Sequence, residues 1–172
     1  MILSTLCYME NERGKYLMLH RVKKEHDANR DKWIGIGGKF EPGESPEECV
    51  VREAWEETGL QLTDYRYRGL VTFVSDRWET EYMHLFTADG FEGELISCSE
   101  GNLEWVDKDV VMSLPTWAGD RIFLDLLARD VPFFSLKLAY VGDTLVQAVL
   151  NGKDILSEEK IPAASVEKPG KT

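Results

Sequence analysis

Glu53, Glu56 and Glu57 lie close together in the stretch Ser45–Thr58. That stretch reads as a helix. Ser45 can cap it, Pro46 suits the first helical position, Glu48 completes a capping box, and Gly59 supplies the stop. At about 100° per residue, Val50, Val51, Ala54, Trp55 and Thr58 cover one side. The three glutamates fall within an arc of about 100° on the other. Like charges at this spacing cost about 0.2–0.5 kcal/mol per pair. The C-terminal half of a helix disfavours each anion by a further ~0.3–1 kcal/mol. Folding does not call for three carboxylates there. They form either a solvated acidic face or a set of oxygen ligands for Mg²⁺ or Mn²⁺, hard cations that take carboxylates and carbonyls.

The elements that must hold this helix are mostly strands. Residues 2–9 and 16–21 are apolar and β-rich, with a hairpin turn expected at Glu10–Lys15. Residues 22–32 form a charged loop, followed by the glycine-rich Trp33-Ile34-Gly35-Ile36-Gly37-Gly38. Strands are expected at 66–74 and 79–87 around Ser75-Asp76-Arg77, and at 102–107. A second helix fits Gly119–Arg129, where Ile122, Phe123, Leu126 and Leu127 recur at helical spacing. A late hairpin, 133–140 with 144–150, turns at Gly142-Asp143. Mixed strands with two helices predict an α/β or α+β sandwich.

The length of 172 residues suits one domain, assigned to 1–156, with 157–172 a flexible tail. Asp and Glu number 31 against 20 Lys and Arg, for a formal net charge of -11. That balance argues against a nucleic-acid polymer as partner, since phosphate backbones are held by basic stripes. An acidic protein that handles phosphates needs placed cations or bound metal. No apolar run approaches the ~18 residues of a membrane span, and the start is not expected to be a secretory signal. Cys7, Cys49 and Cys98 form no CxxC pair and read as small core residues in a reducing, cytoplasmic setting. The chain is expected to act as a monomer or homodimer.

Gly38 to Leu60, GKFEPGESPEECVVREAWEETGL, resembles the Nudix box at every fixed position: Gly38, Glu44, Arg52, Glu53, Ala54, Glu56, Glu57, Gly59 and Leu60. The resemblance implies an α/β/α sandwich with a mixed sheet, a divalent metal, and cleavage of a nucleoside diphosphate linked to another moiety. It also implies Glu53, Glu56, Glu57 and the Gly38 carbonyl as metal ligands, with Arg52 orienting a carboxylate. Glu44 is a loop-to-helix anchor and either a plain turn residue or a catalytic one.

Residues 2–150 further resemble the MutT-type oxidised-purine nucleoside triphosphatases. WIGIGGKFEPGE is similar to their Trp-x-Gly-x-Gly-Gly-Lys loop. On that resemblance Glu100 is a further catalytic or metal-binding carboxylate, and Lys39 is a phosphate contact. Trp117 stacks on the purine, Asp120 reads its edge, and Phe73 lines the pocket. Trp105 and Phe73 also suit a plain core, Trp117 is core or site, and Glu100 is a site residue or a solvated loop acid. Two positions depart: Ile34 stands where those enzymes hydrogen-bond the base with asparagine, and Gly119 replaces a second aspartate. The expected reaction is cleavage of a purine nucleoside triphosphate, oxidised or plain, to monophosphate and diphosphate. The alternatives are ADP-ribose, a dinucleoside polyphosphate or a nucleotide sugar as substrate, or a sensor that binds a nucleotide without cutting it.

Overall fold

In β1 (Ile2–Met9) every residue from Ser4 to Met9 is buried, so this stretch has no solvent face. Alternation sends neighbouring side chains to opposite sides. Leu6 and Tyr8 enter one core, while Cys7 and Met9 enter another. β2 (Lys15–His20) behaves the same way, with Tyr16 and Met18 on one side and Leu17 and Leu19 on the other. Strands buried on both faces need a layer on each side.

The computed structural model describes residues 1–156 and 161–162. After β2 come β3 (Trp33–Ile34), α1 (Pro46–Thr58), β4 (Leu60–Ser75), β5 (Glu81–Gly93), β6 (Asn102–Asp107), α2 (Lys108–Val111), α3 (Asp120–Ala128), β7 (Phe134–Val141), β8 (Thr144–Leu150), β9 (Lys153–Asp154) and β10 (Ile161–Pro162). Among the described residues the larger sheet runs β1-β5-β4-β7-β8-β10, with β9 also on β8, and the smaller runs β3-β2-β6. β1 with β5 and β4 with β7 are parallel and the remaining pairs antiparallel, so the sheet is mixed. α1 sets Val50 and Ala54 on the Cys7 side. α3 sets Phe123, Leu124, Leu126 and Leu127 on the Tyr8 side. The result is the expected α/β/α sandwich. Among the described residues no helix is long and apolar enough to cross a membrane.

Several expectations are corrected. β1 and β2 do not form a hairpin ladder: they meet at the Glu10–Tyr16 bridge, then β1 pairs with β5 and β2 with β3 and β6. The turn reverses the chain, but burial on both faces sends each strand to a different sheet. β4 extends beyond 66–74 at both ends, and β5 begins two residues later than 79 and runs past 87 to Gly93; bulges near Leu62–Tyr65 and Tyr67–Gly69 break the alternation that marks β4 in sequence. The short α2 has no sequence counterpart. Residues 157–172, the expected tail, lie outside the described residues apart from Ile161–Pro162, whose backbone pairs with β8.

α1 begins and ends as read: Glu48 N–H donates to Ser45 Oγ at 3.1 Å, and Gly59 takes a φ of 77°, which favours glycine. Its inward face differs. Trp55 is 54% exposed, whereas Cys49, Val50, Ala54, Glu57 and Thr58 are buried. Glu57 is therefore no solvated acid.

Candidate active site

One cavity of about 560 Å³ opens on a single face of the larger sheet. Cross-strand partners share a face, and the pairs Ser4–Met83, Phe73–Glu81 and Phe73–Leu138 floor it together. Walls come from the loop 21–29 between β2 and β3 and from the glycine-rich run 34–39. Ser4 lines the cavity, and its buried hydroxyl has no hydrogen-bond partner among the described residues.

At one end stand Glu53, Glu57 and Glu100. α1 reaches them through a gap only glycine leaves: a side-chain carbon at Gly38 would come within 2.5 Å of the Glu53 Oε2. Glu57 accepts from the Gly37 N–H at 3.2 Å. Burial, followed by the Glu100 and Glu53 charges, pushes the Glu57 carboxyl well above the usual carboxylate range. Burial also raises Glu53, against the opposing pull of Arg52. Burial would raise Glu100 as well, but Lys24 and Arg21 hold it below its ordinary value.

Each outer carboxylate has a cation of its own. Arg52 Nη1 donates to Glu53 at 2.8 Å and to Glu56 at 3.1 Å. Glu100 accepts from Lys24 Nζ at 2.6 Å and from Arg21 Nη1. Glu57 and Glu100 nevertheless lie within hydrogen-bonding reach of each other, and among the described residues no preformed three-ligand cluster results. The donor set still fits a hard divalent cation. It is all oxygen, Glu57 is a buried acid with no ion pair among the described residues, and Gly38, whose carbonyl accepts from the Thr5 N–H at 2.9 Å and more weakly from Cys49 Sγ at 3.6 Å, packs against Glu53.

The other end is aromatic. Phe73 and Tyr140 meet Trp117 edge-on, with centroids at 5.0 and 4.8 Å, and Lys32 Nζ lies 4.4 Å from the Trp117 ring centre. Trp117 is 5% exposed, so it is both core and cavity wall. Asp120 is buried beside it, and burial, partly opposed by Lys32, pushes its carboxyl up to about 8. Tyr140 Oη accepts from the Gly119 N–H at 2.8 Å.

Of the residues singled out from sequence, the cavity gathers Gly38, Lys39, Glu53, Glu57, Glu100, Ile34, Phe73, Trp117 and Asp120. Glu56 is exposed and stays outside its lining, as do Arg52 and Glu44. Arg52 grips Glu44, the anchor role read from the sequence. Trp105 stacks on Phe91 at 5.6 Å, away from the cavity. Sequence reasoning missed Arg21, Lys24, Asn29 and Tyr140, all in the lining. The charge of the loop 22–32 was the available signal for Lys24; nothing local marked Arg21, Asn29 or Tyr140.

A NUDIX domain model matches residues 2–127, and the chain belongs to the Nudix family of hydrolases. It is a Nudix pyrophosphohydrolase with MutT-like relatives. It is 34% identical over 130 residues to the Nudix hydrolase YvcI of Bacillus subtilis, covering 73% of this chain and 78% of that one. It is 31% identical over 140 residues to the oxidized purine nucleoside triphosphate hydrolase of Danio rerio, covering 80% and 82%. Among solved structures, the mutator MutT protein of Bacillus halodurans superposes with a TM-score of 0.76 at 29% identity, covering 88% of this chain and 98% of that one.

Proposed function

We propose that this enzyme hydrolyses a purine nucleoside triphosphate, plain or oxidised, to the monophosphate and diphosphate, using Mg²⁺ or Mn²⁺. The observation that carries this reading is the single cavity with an aromatic end, a carboxylate end and Lys39 in its lining. A base calls for the aromatic end, and a polyphosphate for the carboxylates with their cation and for Lys39. The relative from Danio rerio, named for oxidised purine nucleoside triphosphates, supports the base class.

Glu53, Glu57 and the Gly38 carbonyl would hold the cation, with exposed Glu56 and with Glu100, which lies beside Glu57, as further carboxylates for it. When bound, the metal neutralises charge on the bridging and leaving phosphate oxygens. Arg52 keeps Glu53 oriented and ties it to Glu44. Lys39 meets the phosphates as a point charge. Phe73, Trp117 and Tyr140 enclose the base, and Asp120 reads its edge. Ile34 and Gly119 leave that edge with fewer polar partners than an enzyme with asparagine and a second aspartate. Discrimination between 8-oxo-dGTP and dGTP is accordingly weaker, by about two- to tenfold for each lost bond. Three buried free thiols suit a reducing compartment, and we place the enzyme in the cytoplasm.

The test is a panel of oxidised and plain nucleoside triphosphates beside ADP-ribose, with Mg²⁺ and a diphosphate readout. Purine triphosphates should give the highest kcat/KM. ADP-ribose exceeding every triphosphate would overturn the reading.

A further inference from the structure

Asn29 stands in the loop between β2 and β3, half-buried in the cavity lining. Its Oδ1 accepts from Trp117 Nε1 at 2.8 Å. An indole N–H only donates, so the amide oxygen must face Trp117 and the side chain cannot be flipped. The Nδ2 group, with two N–H donors, is thereby turned away from the indole. It has no acceptor among the described residues and is not one of the two sealed, unpartnered side-chain atoms, so it is an accessible donor on a residue that lines the cavity.

The backbone around it is fixed. Asn29 N–H donates to Asp27 Oδ1 at 3.0 Å, Lys32 N–H donates to the Asn29 carbonyl at 2.9 Å, and Arg21 Nε holds Asp27 at 2.7 Å. A donor presented by such a frame has little freedom left to lose on binding. The position on β3 that could have offered an amide is apolar Ile34, and Tyr140 Oη accepts from Gly119 while keeping its own O–H to donate. At the aromatic end Asn29, Asp120 and the Tyr140 hydroxyl remain to address a ligand, and of these Asn29 alone presents an amide.

We infer that Asn29 is a specificity-determining residue, its Nδ2 donating to the carbonyl of a 6-oxo purine, so that the site takes guanine-type bases over adenine. The inference rests on the cavity being a nucleotide site. Adenine sets an amino donor where guanine sets an oxygen acceptor. Two donors facing each other in a closed pocket leave both unpaired, the situation in which discrimination is largest. The elevated Asp120 carboxyl adds a second donor, an O–H, in agreement with an acceptor-rich base edge.

The experiment is a tryptophan-fluorescence titration of the full chain with dGMP and with dAMP, beside kcat/KM for dGTP and dATP. Asn29→Asp keeps an oxygen for Trp117 and removes the donors, so a purely structural role predicts no change in selectivity. Wild type should bind dGMP about tenfold or more tighter than dAMP. Asn29→Asp should erase that ratio with its melting temperature close to wild type. If Asn29→Asp does not fold, the near-isosteric Asn29→Leu reads the same ratio. Loss of the dGMP preference in the variant while no triphosphate is cleaved by wild type would retain Asn29 as base reader and strike only the triphosphate reaction. An unchanged ratio in the variant, or no dGMP preference in wild type, overturns the inference.

Discussion

Arg52 holds Glu44 across eight residues of sequence, donating from Nε to Oε1 and from Nη2 to Oε2 at 2.9 Å. The fork clamps the loop after the glycine run to the middle of α1, and the same guanidinium reaches Glu53. Neither end of the clamp lines the cavity. Its effect on chemistry therefore passes through the position of Glu53.

Glu44→Gln should leave the protein folded and lower kcat/KM by roughly 10–100-fold, the scale of an ångström-sized misplacement in a site. Arg52 holds the Glu44 carboxyl down to about 2. A depressed acid contributes its stability above the unfolded value and loses it as pH falls through the folded value. Wild type and Glu44→Gln should thus differ most in melting temperature at neutral pH and converge near pH 2. A constant difference across that window counts against the clamp.

Glu57 runs the other way. Its raised carboxyl keeps a proton that the unfolded chain gives up near the ordinary value, so its presence costs stability increasingly as pH rises above that point. Without metal, Glu57→Gln should melt higher than wild type at pH 8 and equally at pH 4. Adding Mg²⁺ to wild type at neutral pH should release protons, as expected when a cation displaces them from a ligand, and Glu57→Gln should release fewer. Calorimetry in buffers of different ionisation enthalpy measures both. Equal proton release by the two proteins would remove Glu57 from the metal set.

The glutamates of α1 were legible in sequence because their spacing repeats against helix stability, and the caps of that helix can be read residue by residue. What sequence periodicity could not rank was depth. Glu53, Glu56 and Glu57 share one arc on a helical wheel, yet Glu57 is buried and Glu56 exposed. The difference comes from the backbone of Gly37, twenty residues upstream, lying against one side of α1. The same helix turns Trp55 outward, against the apolar wheel. Asn29 was hidden for a similar reason: its partner Trp117 is 88 residues away. The turn expected at Glu10–Lys15 forms, but no ladder follows it, because a turn signal is local while the choice of strand partner depends on which faces are buried.

Asp120 should make nucleotide binding pH-dependent. With its carboxyl near 8, it carries a proton at pH 7 and can donate to a base; above that value the donor is lost. KM for a purine triphosphate should be flat from pH 6 to 7.5 and rise beyond pH 8. Asp120→Asn, which stays neutral, should lose that rise. A wild-type KM that falls above pH 8 would contradict the protonated state.

Trp117 serves both wall and core. Trp117→Ala should raise KM by an amount equivalent to about 1–3 kcal/mol of lost stacking and also lower stability by roughly 3–5 kcal/mol. Trp117→Phe separates the two roles, since it keeps a ring against Phe73 and Tyr140. It should recover part of the KM while losing the bond to Asn29. A stability loss with KM unchanged in both variants would make Trp117 core alone.

The most direct measurement on the proposed reaction is ³¹P NMR of the products from 8-oxo-dGTP and dGTP, with Mg²⁺ and then with chelator in excess. Both substrates should give monophosphate and inorganic diphosphate in equal amounts, without orthophosphate, and chelator should stop turnover. Orthophosphate as the first product, turnover that persists in chelator, or intact triphosphates beside rapid cleavage of ADP-ribose would contradict a metal-dependent purine nucleoside triphosphate hydrolase.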